Sequence, residues 1–168
     1  MKIGVYVIID DPFPKLHKIM DINAKANEFE DDESMVEVLN RELRMDKLDV
    51  EHTYAVALTD TFYPLGIILC SIGTERENIH SNRTMAIGLL LLGAERFSLF
   101  HNHPHDLKGI SDDDIETTEK VEIVAALFGL QFDNHIMITK DYFNYCVAKG
   151  YSEQTLTALE KLKALANK

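Results

Sequence analysis

The chain has 168 residues and a mass of 19.1 kDa, long enough to bury a core without disulfide or metal staples and short enough to be read as one domain. Its 46% hydrophobic and 27% charged residues argue against a fibrous or disordered chain, and a net charge of -11 argues against a broad nucleic-acid surface, which needs Lys and Arg to neutralise phosphates. No run reaches the roughly 18 apolar residues of a membrane helix and no leader pattern opens the chain, so a cytoplasmic location with no membrane partner is expected.

Residues Lys2 to Ile9 alternate weakly and are rich in Ile and Val, which predicts a short strand before the breaker Asp10-Asp-Pro-Phe-Pro14. Lys15 to Asn27 is ambiguous, with Leu16, Ile19, Met20 and Ile22 at loosely helical spacing. Residues 28–33 carry five acids in six positions and read as a solvated loop or a helix start. Met35, Val36, Val38, Leu39 and Leu43 then predict an amphipathic helix to about Asp46. Val50 to Leu58 and Leu65 to Ile72 are apolar, β-prone runs across a turn at Thr59 to Pro64, the pattern of an antiparallel hairpin. A helix capped by Ser81 or Asn82 is expected through Ala86, Leu89, Leu90 and Leu92 to Gly93.

Glu95 to Phe100 reads as a buried strand, Asp112 to Phe128 as a helix closed by Gly129, and Phe132 to Thr139 with Tyr142 to Ala148 as a strand pair about Lys140-Asp141. Ser152 to Ala166 is an amphipathic helix whose leucine row, Leu156, Leu159, Leu162 and Leu165, either packs on its own domain or forms a partner surface, a homo-oligomer included. Helices interleaved with strands indicate an α/β (α+β) layered domain with a central mixed sheet packed by helices. Within a single domain, residues 1–50 form an N-terminal strand and helix extension, 51–150 the motif-bearing core and 151–168 the C-terminal helix. Cys70 and Cys146 sit singly in apolar runs and read as core thiols.

The chemistry concentrates in Phe100-His-Asn-His-Pro-His-Asp-Leu-Lys-Gly-Ile-Ser-Asp-Asp-Asp114. His101 and His103 leave a strand two residues apart, so both imidazoles point to one face. Ser111 and Asp114 follow at a helix start. Two imidazole nitrogens and one carboxylate oxygen suit zinc, one ion per chain, with a fourth position for water. The same Ser111-x-x-Asp114 is also a capping-box-like helix start, and the two readings stand side by side.

Taken together, the His-x-His pair, the Pro that stops the strand, the loop and Ser-x-x-Asp resemble the zinc metalloprotease signature of the JAMM (JAB/MPN) family. The His101-Asn-His-Pro104 form is similar to its RadC-like branch. The resemblance runs from about Glu51 to Gly150, taking in the strand of Glu51 to Asp60, Ser71-Ile-Gly-Thr74 and Asn134-His-Ile-Met-Ile138. It implies a JAB/MPN-like, cytidine-deaminase-like fold and a zinc-dependent hydrolase of peptide or isopeptide bonds, with a protein or peptide as substrate. By the same resemblance His101, His103 and Asp114 hold the metal, Glu51 is the catalytic base, and the Ser111 hydroxyl bonds the attacking water or the developing oxyanion. The chain departs from RadC-like relatives at His105-Asp-Leu-Lys108, where a Ser-Gly-Asp-Pro-type loop is usual. Residues 1–50 carry no Gly-containing hairpin signal of the helix-hairpin-helix sort. RadC-like proteins have traditionally carried a DNA-repair label that identifies no reaction, so a non-catalytic interaction or DNA-repair accessory module is the alternative function.

Other polar residues have competing readings. His52 is the local rival to Glu51 but has opposite strand parity; Asn102, opposite in parity to the two histidines, is expected to fix loop backbone. His105 either contacts substrate or sits exposed, and His135 reads as a structural hydrogen-bonding residue. Asp112 and Asp113 read as helix-start acids, with the register of the Asp run open by one. His80 and Arg83 are further cleft candidates. No His-Glu-x-x-His or Pro-Cys-x-x-Cys occurs, which removes thermolysin-like and deaminase chemistries. Acidity and a single metal set weigh against a nuclease.

Overall fold

The computed structural model describes residues 1–10, 12–73, 82–104 and 109–147, with the separate positions 157, 160, 161 and 164. The strands are β1 (Lys2–Asp10), β2 (Pro14–Asn23), β3 (Glu51–Leu58), β4 (Pro64–Gly73), β5 (Arg96–Asn102), β6 (Gln131–Ile138) and β7 (Phe143–Tyr145). They form one mixed sheet in the order β2-β1-β4-β3-β5-β6-β7. The helices are α1 (Asp32–Leu43), α2 (Asn82–Leu92) and α3 (Asp112–Phe128).

The central strands are buried on both faces, so their side chains alternate between two apolar cores rather than between core and water. Tyr54, Val56 and Leu58 of β3 join Ile67, Phe100, Ile136 and the α1 residues Met35, Val38 and Leu39 on one face. Ala55 and Ala57 join Ile68, Phe97, Leu99, the α2 residues Met85 and Leu89, and the α3 residues Val121 and Ala125 on the other. Each fully buried aliphatic or aromatic side chain contributes about 1.5–3 kcal/mol, which sets the sheet's facing firmly. The absence of a side chain at Gly88 lets α2 lie directly on β4, because a Cβ there would stand 2.6 Å from Ile68 Cδ1.

The expected β3–β4 hairpin is present, paired from Glu51↔Gly73 to Leu58↔Pro64. So is α3, capped by Ser111 and closed by Gly129 at φ 66, where a side chain would be strained. The acidic run at residues 28–33 closes a 3-10 turn, Ala26–Phe29, and opens α1: Asp31 accepts from Ser34 N at 2.8 Å, and Asp32 and Glu33 face the positive end of the helix. α1 stops at Leu43, short of Asp46, because Arg44 adopts a left-handed conformation at φ 57 and a single 3-10 turn, Met45–Lys47, follows.

One ambiguity resolves against the helical spacing. Residues Pro14–Asn23 are a strand, paired with β1 from Lys2↔Asn23 to Asp10↔Pro14. The apolar residues there had little helix to specify, since Ile22 is buried whereas Ile19 and Met20 are exposed. A ladder with β1 satisfies the backbone over the whole length, and that pairing wins over weak periodicity. β7 is shorter than expected, pairing only Ile136 to Ile138, with Tyr142 in the preceding turn. Most of the expected C-terminal helix lies outside the described residues; Thr157, Glu160, Lys161 and Ala164 are helical and exposed. Among the described residues no helix is long and apolar enough to cross a membrane.

Both cysteines are free and buried. Burial pushes the Cys70 thiol up to about 12, and burial with the nearby charge of Asp114 does the same to Cys146. Since the thiolate is the nucleophile, neither should react with a thiol reagent at pH 8 in the native protein, and both should react in denaturant. Rapid native labelling of either one would contradict this packing.

Candidate metal centre

His101 is the penultimate residue of β5 and His103 lies just past its end, on the face that carries Phe97 and Leu99. A backbone bond from His103 N to Ile138 O, 2.9 Å, holds the exit of the strand against β6. β3 runs antiparallel to β5 with Thr53 opposite His101. Carried two residues further, that register sets Glu51 opposite His103 and on the same face. α3 then brings its first turn over this face.

Of the three acids in that turn, Asp112 and Asp113 are exposed and Asp114 is buried, so Asp114 is the one turned toward the histidines. His101 Nε2 lies 3.1 Å from His103 Nε2 and 3.1 Å from Asp114 Oδ1, and His103 Nε2 lies 3.5 Å from Asp114 Oδ2. Ligand atoms of Glu51, His101, His103 and Asp114 all fall within 4.8 Å of one another. His101 is 1% exposed, so the cluster's inner wall excludes water while Glu51 and His103 are half-buried at its mouth.

The capping box and the cluster use one carboxylate. Ser111 N and Ser111 Oγ both donate to Asp114 Oδ2 at 2.7 Å, and Asp114 N donates to Ser111 Oγ at 3.1 Å. Burial pushes the Asp114 carboxyl up, but the His101 and His103 imidazoles beside it and the Ser111 backbone N–H outweigh it and hold the group well below the usual carboxylate range. An ionised oxygen therefore faces the imidazoles.

Asn102 points to the other face and does what its parity suggested. Its Oδ1 accepts from His52 N at 2.8 Å, and its Nδ2 donates to Val50 O at 3.2 Å, so it fastens the end of β5 to the start of β3 on either side of Glu51. Asn102→Ala would strip buried partners from those backbone groups, and an unfolding loss of about 1–3 kcal/mol is expected in a urea titration. A variant as stable as the parent would show that this link is idle. His52 is turned away from the cluster, its Nδ1 on Val50 O at 2.8 Å and its ring stacked on Tyr54.

His135 and Thr118 extend the site inward. His135 Nε2 lies 2.8 Å from His101 Nδ1, and His135 Nδ1 lies 2.8 Å from Thr118 Oγ1. Thr118 went unnoticed in the sequence, though it sits one helical turn after Asp114 and so on the same face. A second donor grouping, His101, His135 and Cys146, is wholly buried. Burial there disfavours the thiolate, the form in which a cysteine binds metal. Arg83 pairs with Asp10 at 3.4 Å on the surface, and His80 and His105 lie outside the described residues. A cleft of about 570 Å³ between α1, β6 and β7 is lined by Asp32, Asp133, Phe62 and Tyr145 among others, and by none of the cluster residues.

A family model described as RadC-like JAB domain matches residues 29–151, a span that includes every residue of the cluster. A UPF0758 protein of Finegoldia magna is 30% identical over 126 residues, covering 75% of this chain and 54% of that protein. Another, from Acaryochloris marina, is 30% identical over 89 residues, covering 52% of this chain and 37% of that protein. The chain thus spans about half, or less, of the length of these curated relatives.

Proposed function

Because the chain belongs to the RadC-like JAB-domain family, we propose that the cluster at the end of β5 is a zinc centre of JAMM type. The protein is then a zinc-dependent hydrolase of peptide or isopeptide bonds in a protein or peptide substrate. The observation that carries the reading is the spacing of the donor atoms. Tetrahedral zinc with bonds of about 2.0–2.1 Å sets its ligand atoms about 3.3 Å apart. The separations here, 3.1, 3.1 and 3.5 Å, bracket that value, although His101 and His103 approach different oxygens of Asp114.

In this reading His101, His103 and Asp114 hold one ion per chain. Zinc, when bound, supplies Lewis acidity that lowers the pKa of a water and polarises a carbonyl. Glu51 takes the proton of the water that attacks the scissile carbon, holds it on a carboxylate oxygen, and gives it to the departing nitrogen as the C–N bond breaks. Ser111 has its hydroxyl proton on Asp114 Oδ2, so its first task is to hold that carboxylate. Service to an oxyanion would require the proton to change partner.

Metal analysis coupled to assays on peptide and isopeptide substrates tests the proposal, with about one zinc per chain and cleavage of one class expected. A zinc-loaded chain that cleaves neither would favour the non-catalytic module. Duplex DNA is not the expected partner, because the -11 charge opposes phosphate approach. Titration at moderate salt should show weak binding; a tight, salt-sensitive complex would turn the reading toward the DNA-repair accessory role.

A further inference from the structure

Resting on the zinc reading, we propose that Thr118 and His135 are positioning residues which set the tautomer of His101, so that its Nε2 lone pair is presented to the ion. Protons along one buried line can be counted. Thr118 Oγ1 lies 2.8 Å from Asp114 O and 3.4 Å from Cys146 O. Two oxygens at 2.8 Å repel unless a proton lies between them, and a carbonyl has none to give. Thr118 must supply it, and a hydroxyl has only one.

The next contact therefore needs its proton from the other side. His135 Nδ1, 2.8 Å from Thr118 Oγ1, is the donor. A neutral imidazole carries one proton, so His135 Nε2 is left as an acceptor. Its partner at 2.8 Å, His101 Nδ1, is then the N–H. That leaves His101 Nε2 with a lone pair, aimed at His103 Nε2 and Asp114 Oδ1, each 3.1 Å away. Lone pairs so close call for a shared cation, a role that a proton or a divalent ion can fill. His135 and Thr118 are each 3% exposed, so water does not compete for these bonds.

The fold makes this line possible by an irregularity. Phe97 pairs with Phe132 but Leu99 pairs with His135, so two steps on β5 are matched by three on β6. The extra residue is a β-bulge, and it turns His135 to the face that Phe132 already occupies. Without it, strict alternation from Phe132 would send His135 to the opposite core.

Histidine-selective ¹⁵N NMR of the protein, zinc-loaded and metal-free, reads the tautomers directly. His135 is expected as the Nδ1–H form in both states. Zinc affinity gives a second reading: Thr118→Val removes the acceptor, frees His135 to take the Nε2–H form, and thereby pushes the proton of His101 onto Nε2. Its zinc Kd should rise about 10–100-fold, and Thr118→Ser should restore it. An Nε2–H His135 in the parent overturns the proposal. So does a folded Thr118→Val protein with parental tautomers and Kd. Should that variant not fold, the parent spectrum alone decides. Failure of the parent to take up zinc would defeat the metal reading instead, and the tautomer of His135 would still judge the line.

Discussion

His103→Ala is expected to abolish stoichiometric zinc binding, taking metal analysis from about one ion per chain to essentially none. The proposed set has three protein ligands, and the removed imidazole stands at its half-buried mouth, where water would fill the gap without restoring the nitrogen donor. His103 lies past the last residue of β5 and its backbone bond to Ile138 O does not depend on its side chain. The loss should therefore appear with the fold intact, and circular dichroism alongside the metal assay checks that. Full zinc occupancy in folded His103→Ala protein would sink the ligand assignment.

Glu51→Gln should separate coordination from chemistry. The substitution keeps the size of the side chain and removes its basicity, so zinc should remain while turnover falls by about 10²-fold or more. Its carboxylate belongs to the same cluster as the proposed ligands, within the 4.8 Å span of their donor atoms. A second possible base, His52, is committed to Val50 O and to the other face. Cleavage at the parent rate with zinc still bound would place the base elsewhere and leave the family's catalytic carboxylate without a counterpart at this position.

Several parts of the site were legible in local sequence because they depend on neighbours a few residues away. His101 and His103 share a face because a strand repeats every two residues. Ser111 and Asp114 meet because a helix start brings the cap and the third residue together, and the same geometry leaves Asp114 Oδ1 facing His101. Gly129 closes α3 because a left-handed cap costs glycine least. Asn102 was expected to hold backbone from its parity alone, and it does so.

Other parts required the folded chain. Periodicity could not give β2, whose apolar residues divide between buried Ile22, half-buried Leu16 and exposed Ile19 and Met20, and whose identity comes from pairing with β1. Glu51 meets the histidines through the antiparallel register of β3 on β5, a relation between segments about fifty positions apart; in the sequence only family resemblance pointed to it. The bulge in β6 turns His135 to the α3 face, where it meets Thr118. A sequence records the period of each element and so the face each side chain takes within it. Which faces meet, and in what register, is decided by burial and pairing across the whole sheet, where a slip of one residue would exchange every inward side chain for its neighbour.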